Sequence, residues 1–351
     1  MAKEKTYSKC SGCGGNLIFC PETQDMICEK CSGHTDIEKD SNVAKHEYVQ
    51  GQSARDNNGW EEGKTFRCET CGACVNLSGL EISKTCPYCG STFVSEAKSL
   101  PGLKPDGIIP FAFDKKGANE WFKRGIKSRF FLPNAFKKNL PESKIHGLYV
   151  PCFSFDANTY STYRGILERH YTTTDKDGNS RTRVETFPIS GDISLSLDDV
   201  VTEASASFEQ SEMNSVLPYD HREAVVYKPG FVRGYYVEHY ETNVDTCHNT
   251  ARNVMSSQIK HEILSKYMYD EVRSLTVNTD YTNEKYCYKL LPVYRFEYTY
   301  KNKKYMNCMN GQTGKMNGKL PKSGVKIFFT VFGIALFVIA FMLLFMFLPM
   351  H

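Results

Sequence analysis

The sequence lacks an excess of charge of either sign. Its 43 Lys and Arg residues nearly balance its 40 Asp and Glu residues, which leaves a formal net charge of +3. A protein that binds nucleic acid through the phosphate backbone needs a basic surface. The overall composition therefore gives no strong indication of a polyanionic partner.

The sequence also lacks the short motifs of common enzyme classes. It contains no Gly-rich dinucleotide fingerprint, no P-loop, no nucleophile elbow and no paired-histidine zinc motif. Its nine histidines are scattered, and the nearest approach to a catalytic group lies at 238–239 and 245–248. A satisfied or solvent-facing histidine is the commoner explanation there. We therefore expect a protein that is not an enzyme, with no catalytic residue and no small-molecule substrate.

The N-terminus lacks the apolar core of a secretory signal, whereas the C-terminal end lacks charge. No charged residue lies between Ile327 and Met350. About 20 apolar residues suffice for a helix to cross a membrane, so we predict one transmembrane helix over 325–348. Four lysines cluster at its N-terminal end, Lys315, Lys319, Lys322 and Lys326. Under the positive-inside rule they favour a single-pass, tail-anchored protein of the cell membrane whose N-terminal domains are cytoplasmic.

Eight of the 14 cysteines follow one spacing twice, as two CxxC pairs separated by fourteen residues. The first set is Cys10, Cys13, Cys28 and Cys31, and the second set is Cys68, Cys71, Cys86 and Cys89. Four thiolates complete the tetrahedron that Zn²⁺ prefers, and disulfides are rare in a reducing cytosol. The spacing predicts two structural zinc ions, and it is compatible both with static ribbons and with ribbons that sense oxidants.

These features divide the chain into modules. We predict a zinc ribbon at 8–33, a polar flexible linker at 34–63, a second zinc ribbon at 64–95 and a larger domain at 107–320. Aromatic residues make up 13% of the chain, which favours a β-rich core over disorder. The expected fold class is α+β: two small β zinc ribbons, an α+β domain with an antiparallel sheet, and one transmembrane helix.

Within the larger domain, periodicity predicts several elements. An amphipathic helix is expected over 115–131, capped by Asp114. Its apolar residues recur every four positions at Ala118, Phe122, Ile126 and Phe130, with Trp121 on the same side. A second helix is expected over 244–274. Polar residues 172–180 predict the tip of a β-hairpin, and residues 290–309 predict another hairpin that turns at 301–304.

Several segments carry a resemblance to a known family. They are residues 105–111, 147–151, 230–238, 291–294, 310–315 and 318–321. With the ribbons and the apolar helix, the chain resembles bacterial membrane-anchored proteins with transcription-factor-B-type zinc ribbons. The resemblance implies association with SPFH (flotillin-like) proteins and with phage shock protein A-type peripheral coat proteins in membrane stress.

The expected function is therefore that of a membrane-anchored zinc-ribbon adaptor. It would recruit or anchor protein partners at the cytoplasmic face of the membrane, in envelope stress or membrane organisation. The alternative is a nucleic-acid-binding protein of transcription or replication tethered to the membrane, because zinc ribbons occur widely in such proteins. Neither ribbon carries the basic stripe that this alternative requires, so the sequence argues against nucleic acid as a partner.

Overall fold

The fold was determined from a computed structural model of the chain. It describes residues 10–51, 64–67, 74–77, 104–140, 143–174, 180–205, 208, 210–238 and 240–347. The strands are β1 (Leu17–Cys20), β2 (Asp25–Cys28), β3 (His34–Thr35), β4 (His46–Glu47), β5 (Lys64–Arg67), β6 (Cys74–Leu77), β7 (Gly107–Ile108), β8 (Lys144–Thr174), β9 (Ser180–Glu203), β10 (Val225–Val226), β11 (Tyr236–Glu238), β12 (Glu271–Tyr300), β13 (Lys303–Asn310) and β14 (Met316–Gly318). The helices are α1 (Lys115–Ser128), α2 (Asn134–Lys138), α3 (Gln210–Val216), α4 (Val244–Leu264) and α5 (Gly324–Phe347). The predicted α+β class with one apolar C-terminal helix is confirmed.

The main sheet is organised around two long antiparallel strands. β8 and β12 have 31 and 30 residues and pair along nearly their whole length, while β9 flanks β8 on its other side. β4, β7 and β13 pair with β12. On the other side of the sheet, β11 pairs with both β8 and β6, and β6 pairs with β5. Most pairs are antiparallel, as predicted. The short β8–β11 and β7–β12 pairs are parallel.

The outer halves of β8, β9 and β12 form a three-stranded arm, which α4 covers on one face. Side chains along β8 alternate between buried and exposed from Ala157 to Leu167, as a half-buried strand requires. α4 packs Ile259 and Ile263 against Tyr163 and Leu167 of the arm. Met255, Ile259 and Ile263 are buried at a spacing of four residues along α4, so the predicted second helix is present. The helix ends at Leu264, however, because the chain re-enters the sheet at β12 with period-2 alternation.

α1 starts where the sequence predicts, because the Asp114 carboxylate accepts a hydrogen bond from the Gly117 N–H at 2.7 Å. Ala118, Phe122 and Ile126 are buried, as expected. Phe130 is not part of this stripe. The helix ends at Ser128 and Arg129 is extended, so Phe130 lies in a loop with 64% of its surface exposed.

The centre of the domain is aromatic, which accounts for the aromatic-rich composition. Phe111 stacks on Tyr235 with ring centroids 4.2 Å apart and meets Tyr149 edge-on at 5.0 Å. Tyr294 lies on the same ring at 4.6 Å and donates its hydroxyl to the Phe113 carbonyl. Such offset and edge-on pairs add about 0.5–1.5 kcal/mol each to the burial of apolar area.

The predicted C-terminal hairpin is confirmed. β12 pairs with β13 in register from Val293↔Asn310 to Tyr300↔Lys303. Lys301 and Asn302 form the turn, both with positive φ, which is the backbone twist that two-residue hairpins prefer. The other predicted hairpin also has its two arms in place, β8 and β9, which pair up to Thr174↔Ser180. Its tip at 175–179 lies outside the described residues.

The described part of the predicted linker, residues 34–51, does not run as a flexible chain. It lies along the domain: β4 pairs with β12, and the His46 ring contacts the Asp106 carboxylate at 2.8 Å. Tyr48 stacks on His248 with ring centroids 3.7 Å apart and donates its hydroxyl to Asp245. The polar composition that favoured a linker supplies these ion pairs and hydrogen bonds instead.

Candidate metal centre

The first cysteine set lies on two turns of closely similar geometry. In the first turn, Gly14 N–H bonds to the Cys10 carbonyl at 2.9 Å. In the second, Ser32 N–H bonds to the Cys28 carbonyl at 2.9 Å. Gly14 and Ser32 occupy equivalent positions with φ of 68° and 56°. Glycine adopts this conformation readily, whereas serine is strained in it.

The four sulfur atoms of these turns converge. All lie within 4.8 Å of one another, with Cys10 Sγ and Cys31 Sγ at 3.7 Å and Cys13 Sγ and Cys28 Sγ at 3.5 Å. A tetrahedron with metal–sulfur bonds of about 2.3 Å has sulfur–sulfur edges of roughly 3.8 Å. The four thiols are therefore spaced to hold one metal ion. The second set lies outside the described residues, between and beyond β5 and β6.

The space around the sulfurs depends on Gly15. Its N–H donates to Cys13 Sγ at 3.4 Å. A Cβ at this position would lie 2.8 Å from Cys28 Sγ and 3.3 Å from Cys13 Sγ. A side chain at 15 would therefore occupy the space that the thiols need.

Backbone amides favour thiolates here. The N–H groups of Cys31 and Lys30 lower the pKa of Cys28 to about 6. The N–H groups of Cys13 and Gly12 lower the pKa of Cys10. The Gly15 N–H acts in the same direction on Cys13, but the Cys31 and Cys28 sulfurs raise the pKa of Cys13 to about 12. Four adjacent thiolates repel one another, and a bound cation relieves that repulsion.

The strands that carry the centre are fused to the larger domain. Leu17, Phe19 and Met26 are buried in the core that also contains Phe111 and Phe231. Phe19 meets the Phe231 ring edge-on at 5.5 Å, and its N–H bonds to the Arg233 carbonyl at 3.1 Å. The metal centre is therefore part of the domain surface and not a separate module.

β5 and β6, which flank the first CxxC pair of the second set, also join the domain. They form an antiparallel hairpin, and β6 pairs with β11 from Tyr236↔Leu77 to Glu238↔Val75. The sequence gives no sign of this connection, because the pairing residues are far apart in the chain.

A second group of potential metal ligands lies on the arm. Glu168 and Glu271 face each other across β8 and β12, and His170 follows two residues later. Glu168 lies 3.6 Å from the Arg273 guanidinium, and both His170 and Glu271 are exposed. This open, partly neutralised group is an ordinary surface cluster, and we assign no metal to it.

Cys247 and His248, two of the residues singled out at 245–248, are buried side chains of α4. His248 is buried and bonds through Nε2 to Glu284 at 2.5 Å, which Arg252 also contacts. Cys247 donates to the Glu203 carbonyl, and burial raises its pKa to about 12. Both side chains serve the packing of α4 against the sheet.

A separate, partly buried ion pair joins β9 and β12. Lys289 is buried, and its Nζ lies 2.5 Å from Asp199 Oδ1 and 3.3 Å from His221 Nδ1. Burial lowers the pKa of His221 to about 4, and the Lys289 charge acts in the same direction. Burial raises the pKa of Asp199, but Lys289, His221 and Lys45 together lower it by more, so that the net shift is downward.

Comparison of the sequence with known proteins finds a curated protein that is similar to this chain. The chain is 29% identical over 330 residues to a protein of Bacillus subtilis (strain 168) described as uncharacterized protein YdjG, an alignment that covers 93% of each chain. No family model matches the chain, and no solved structure shows significant similarity to it. The chain is therefore similar to YdjG over most of its length and not in one module alone.

Proposed function

We propose that this chain is a membrane-anchored zinc-ribbon adaptor that recruits or anchors partner proteins at the cytoplasmic face of the cell membrane. One observation carries the proposal: a metal-ligand cluster is fused to a domain whose last helix is long and apolar enough to cross a membrane. None of the most apolar window of α5 is buried against the rest of the protein. A helix with such a surface requires an apolar environment.

The proposed metal is Zn²⁺, bound structurally at both cysteine sets. Four sulfur ligands leave no open position for water or substrate. Elemental analysis of the full-length protein is expected to give about two zinc ions per chain by this ligand count. The Cys10→Ser/Cys13→Ser variant is expected to give about one. Folded protein without zinc would contradict the proposal. Cys20→Ser changes a thiol of β1 outside the set and is the matched control.

The proposed anchor is α5, with the N-terminal domains in the cytoplasm. The lysines before α5 support this orientation, since cationic residues are retained on the cytoplasmic side. Full-length protein is expected to remain in the membrane after carbonate washing. Protease added outside intact cells is expected to leave the cysteine ribbons uncut, and cleavage there would reverse the orientation.

The proposed partners are SPFH (flotillin-like) or phage shock protein A-type proteins, the classes implied by the family resemblance. An anchored adaptor raises their effective concentration at the membrane without catalysis. Such a partner is expected to copurify with the full-length protein and with Cys20→Ser from solubilised membranes, but not with Cys10→Ser/Cys13→Ser. Equal copurification with all three would show that the first ribbon does not recruit it. Tight DNA binding at physiological salt would favour the nucleic-acid alternative.

A further inference from the structure

Two segments of the chain carry cations without any acidic residue. Residues 123–138, from α1 to α2, contain six Lys or Arg residues and no Asp or Glu. Residues 315–326, which lead into α5, contain four lysines and again no acidic residue. The overall charge balance of the chain conceals this local excess.

The fold brings these two segments together at the start of α5. The Ser323 N–H donates to the Phe131 carbonyl at 2.8 Å. The Lys326 ammonium donates to the Phe130 carbonyl at 2.9 Å and lies 5.3 Å from the centre of the Phe130 ring. Leu132, next in the chain, is buried and fixes the loop to the domain. The loop at 127–131 is therefore held against the first turn of α5.

The side chains of this loop are of two kinds. Phe130 and Phe131 are 64% and 45% exposed, which is high for adjacent phenylalanines. Lys127 and Arg129 beside them are also exposed. We call residues 127–131 the basic aromatic loop. Exposed aromatic rings flanked by cations are typical of proteins that contact the headgroup region of a membrane.

The position of the loop relative to α5 indicates its occupant. The uncharged run of α5 begins at Ile327, one residue after Lys326. Because Lys326 contacts the Phe130 carbonyl, the loop lies within roughly one helical turn, about 5.4 Å, of the point where the apolar surface begins. If α5 enters the bilayer there, the two phenylalanines lie at the membrane surface.

We propose that the basic aromatic loop binds the anionic phospholipids of the membrane that α5 enters, and that it thereby fixes the orientation of the domain on the bilayer. The aromatic rings enter the headgroup region, while Lys127, Arg129 and Lys322 face the lipid phosphates. Each cation near an anionic surface increases occupancy of the bound orientation roughly fivefold. This inference rests on the proposed anchoring by α5 and adds a second, headgroup-specific contact to it.

The test places an indole at position 130. The sequence has two tryptophans, Trp60 and Trp121. Full-length protein with both changed to Phe and with Phe130→Trp is reconstituted into vesicles of phosphatidylglycerol and phosphatidylcholine that contain brominated lipid. Bromine quenches indole fluorescence on contact, so strong quenching at 130 is expected. A Met268→Trp protein in the same background is the control. Met268 lies between α4 and β12 and is 80% exposed, so an indole there reports on an exposed position outside the basic aromatic loop.

The expected quenching at 130 rises with the phosphatidylglycerol fraction and falls with salt. Lys127→Glu/Arg129→Glu is expected to lower the ratio of membrane-bound to unbound loop by at least tenfold, since two cations are lost, and thereby to reduce the quenching. Quenching at 130 no greater than at 268 would overturn the proposal. So would quenching that is equal in pure phosphatidylcholine and insensitive to the charge reversal, or displacement of the loop from the vesicles by duplex DNA.

Carbonate extraction of the same vesicles separates this proposal from the anchoring. Protein that is extracted by carbonate has no membrane-spanning helix, and both proposals are then wrong. Protein that resists extraction but whose indole at position 130 is unquenched retains the anchor and refutes only the loop contact. Because residues 130 and 268 are exposed, neither substitution is expected to alter the fold, which circular dichroism checks.

Discussion

Gly15 offers the most direct test of the metal centre. The Cβ added by Gly15→Ala would lie 2.8 Å from Cys28 Sγ and 2.9 Å from the Cβ of Lys30. Non-bonded carbon contacts are ordinarily about 3.5 Å or longer. The sulfur or the backbone must therefore move by roughly 0.7 Å, the difference between 3.5 and 2.8 Å.

A metal site does not accept a displacement of that size. Metal–sulfur distances in well-formed sites fall within about 0.2 Å of their ideal values. Supporting changes around a metal reduce its affinity by about 10- to 100-fold. That range corresponds to about 1.4–2.7 kcal/mol. We expect Gly15→Ala to weaken zinc binding at the first site by this amount.

The assay is competition for zinc between the full-length protein in detergent and a coloured chelator. Gly12→Ala is the matched control, since a Cβ there would meet only Cys10 Sγ at an ordinary 3.8 Å. The proposed second zinc site serves as an internal reference, because both substitutions lie in the segment that carries the first cysteine set. Equal zinc affinity of the Gly15→Ala and Gly12→Ala proteins would refute the reasoning from the thiol geometry.

Two further predictions concern stability. Ser32→Gly is expected to stabilise the first ribbon by about 1 kcal/mol, because serine is strained at positive φ; a thermal melt that is unchanged or lower would contradict this. Asp199→Asn is expected to destabilise the domain by about 2 kcal/mol near neutral pH, because it leaves the buried Lys289 ammonium without its carboxylate partner. The loss stays below that of a fully buried pair, because Asp199 is partly exposed to solvent. Since the folded-state pKa of Asp199 is depressed, its contribution is complete above the unfolded pKa of the carboxyl group and is lost as pH falls through the folded value. Urea unfolding across this acidic range should show the two proteins converging. Asp198→Asn, at the exposed neighbouring position, is the control and should leave the free energy of unfolding near neutral pH within about 0.5 kcal/mol of wild type.

Local sequence patterns predict those parts of the structure that depend on neighbouring residues. The CxxC spacing predicts that Cys10, Cys13, Cys28 and Cys31 can converge, because each turn is closed by hydrogen bonds within six residues. The start of α1 is likewise predictable from Asp114. What the patterns cannot show is the docking of the ribbon, which depends on contacts between residues more than 200 positions apart.

The errors at Phe130 and in the linker have a common physical cause. A periodic stripe predicts which residues can be buried, but tertiary contacts decide where a helix ends. In the same way, the polar composition of residues 34–63 predicts a flexible linker. Composition does not show the ion pairs that hold residues 34–51, because their partners lie on elements that are distant in the chain. One such pair joins Lys45 to Asp156 of β8. Polarity alone does not distinguish a loose chain from a bound one.

These corrections change how the proposed adaptor would work. A ribbon on a flexible linker would present its surface in many orientations, and the linker length would set the effective concentration of a partner. The first ribbon instead shares its core with the domain. The chain that follows it, up to residue 51, is held against the domain by the short strand β4 and by ion pairs such as Lys45–Asp156. Its surface is therefore presented in one orientation relative to the domain. If the basic aromatic loop also fixes the domain on the bilayer, a partner would be held at a defined position relative to the membrane, and substitutions in the loop would alter recruitment without touching the partner's binding surface.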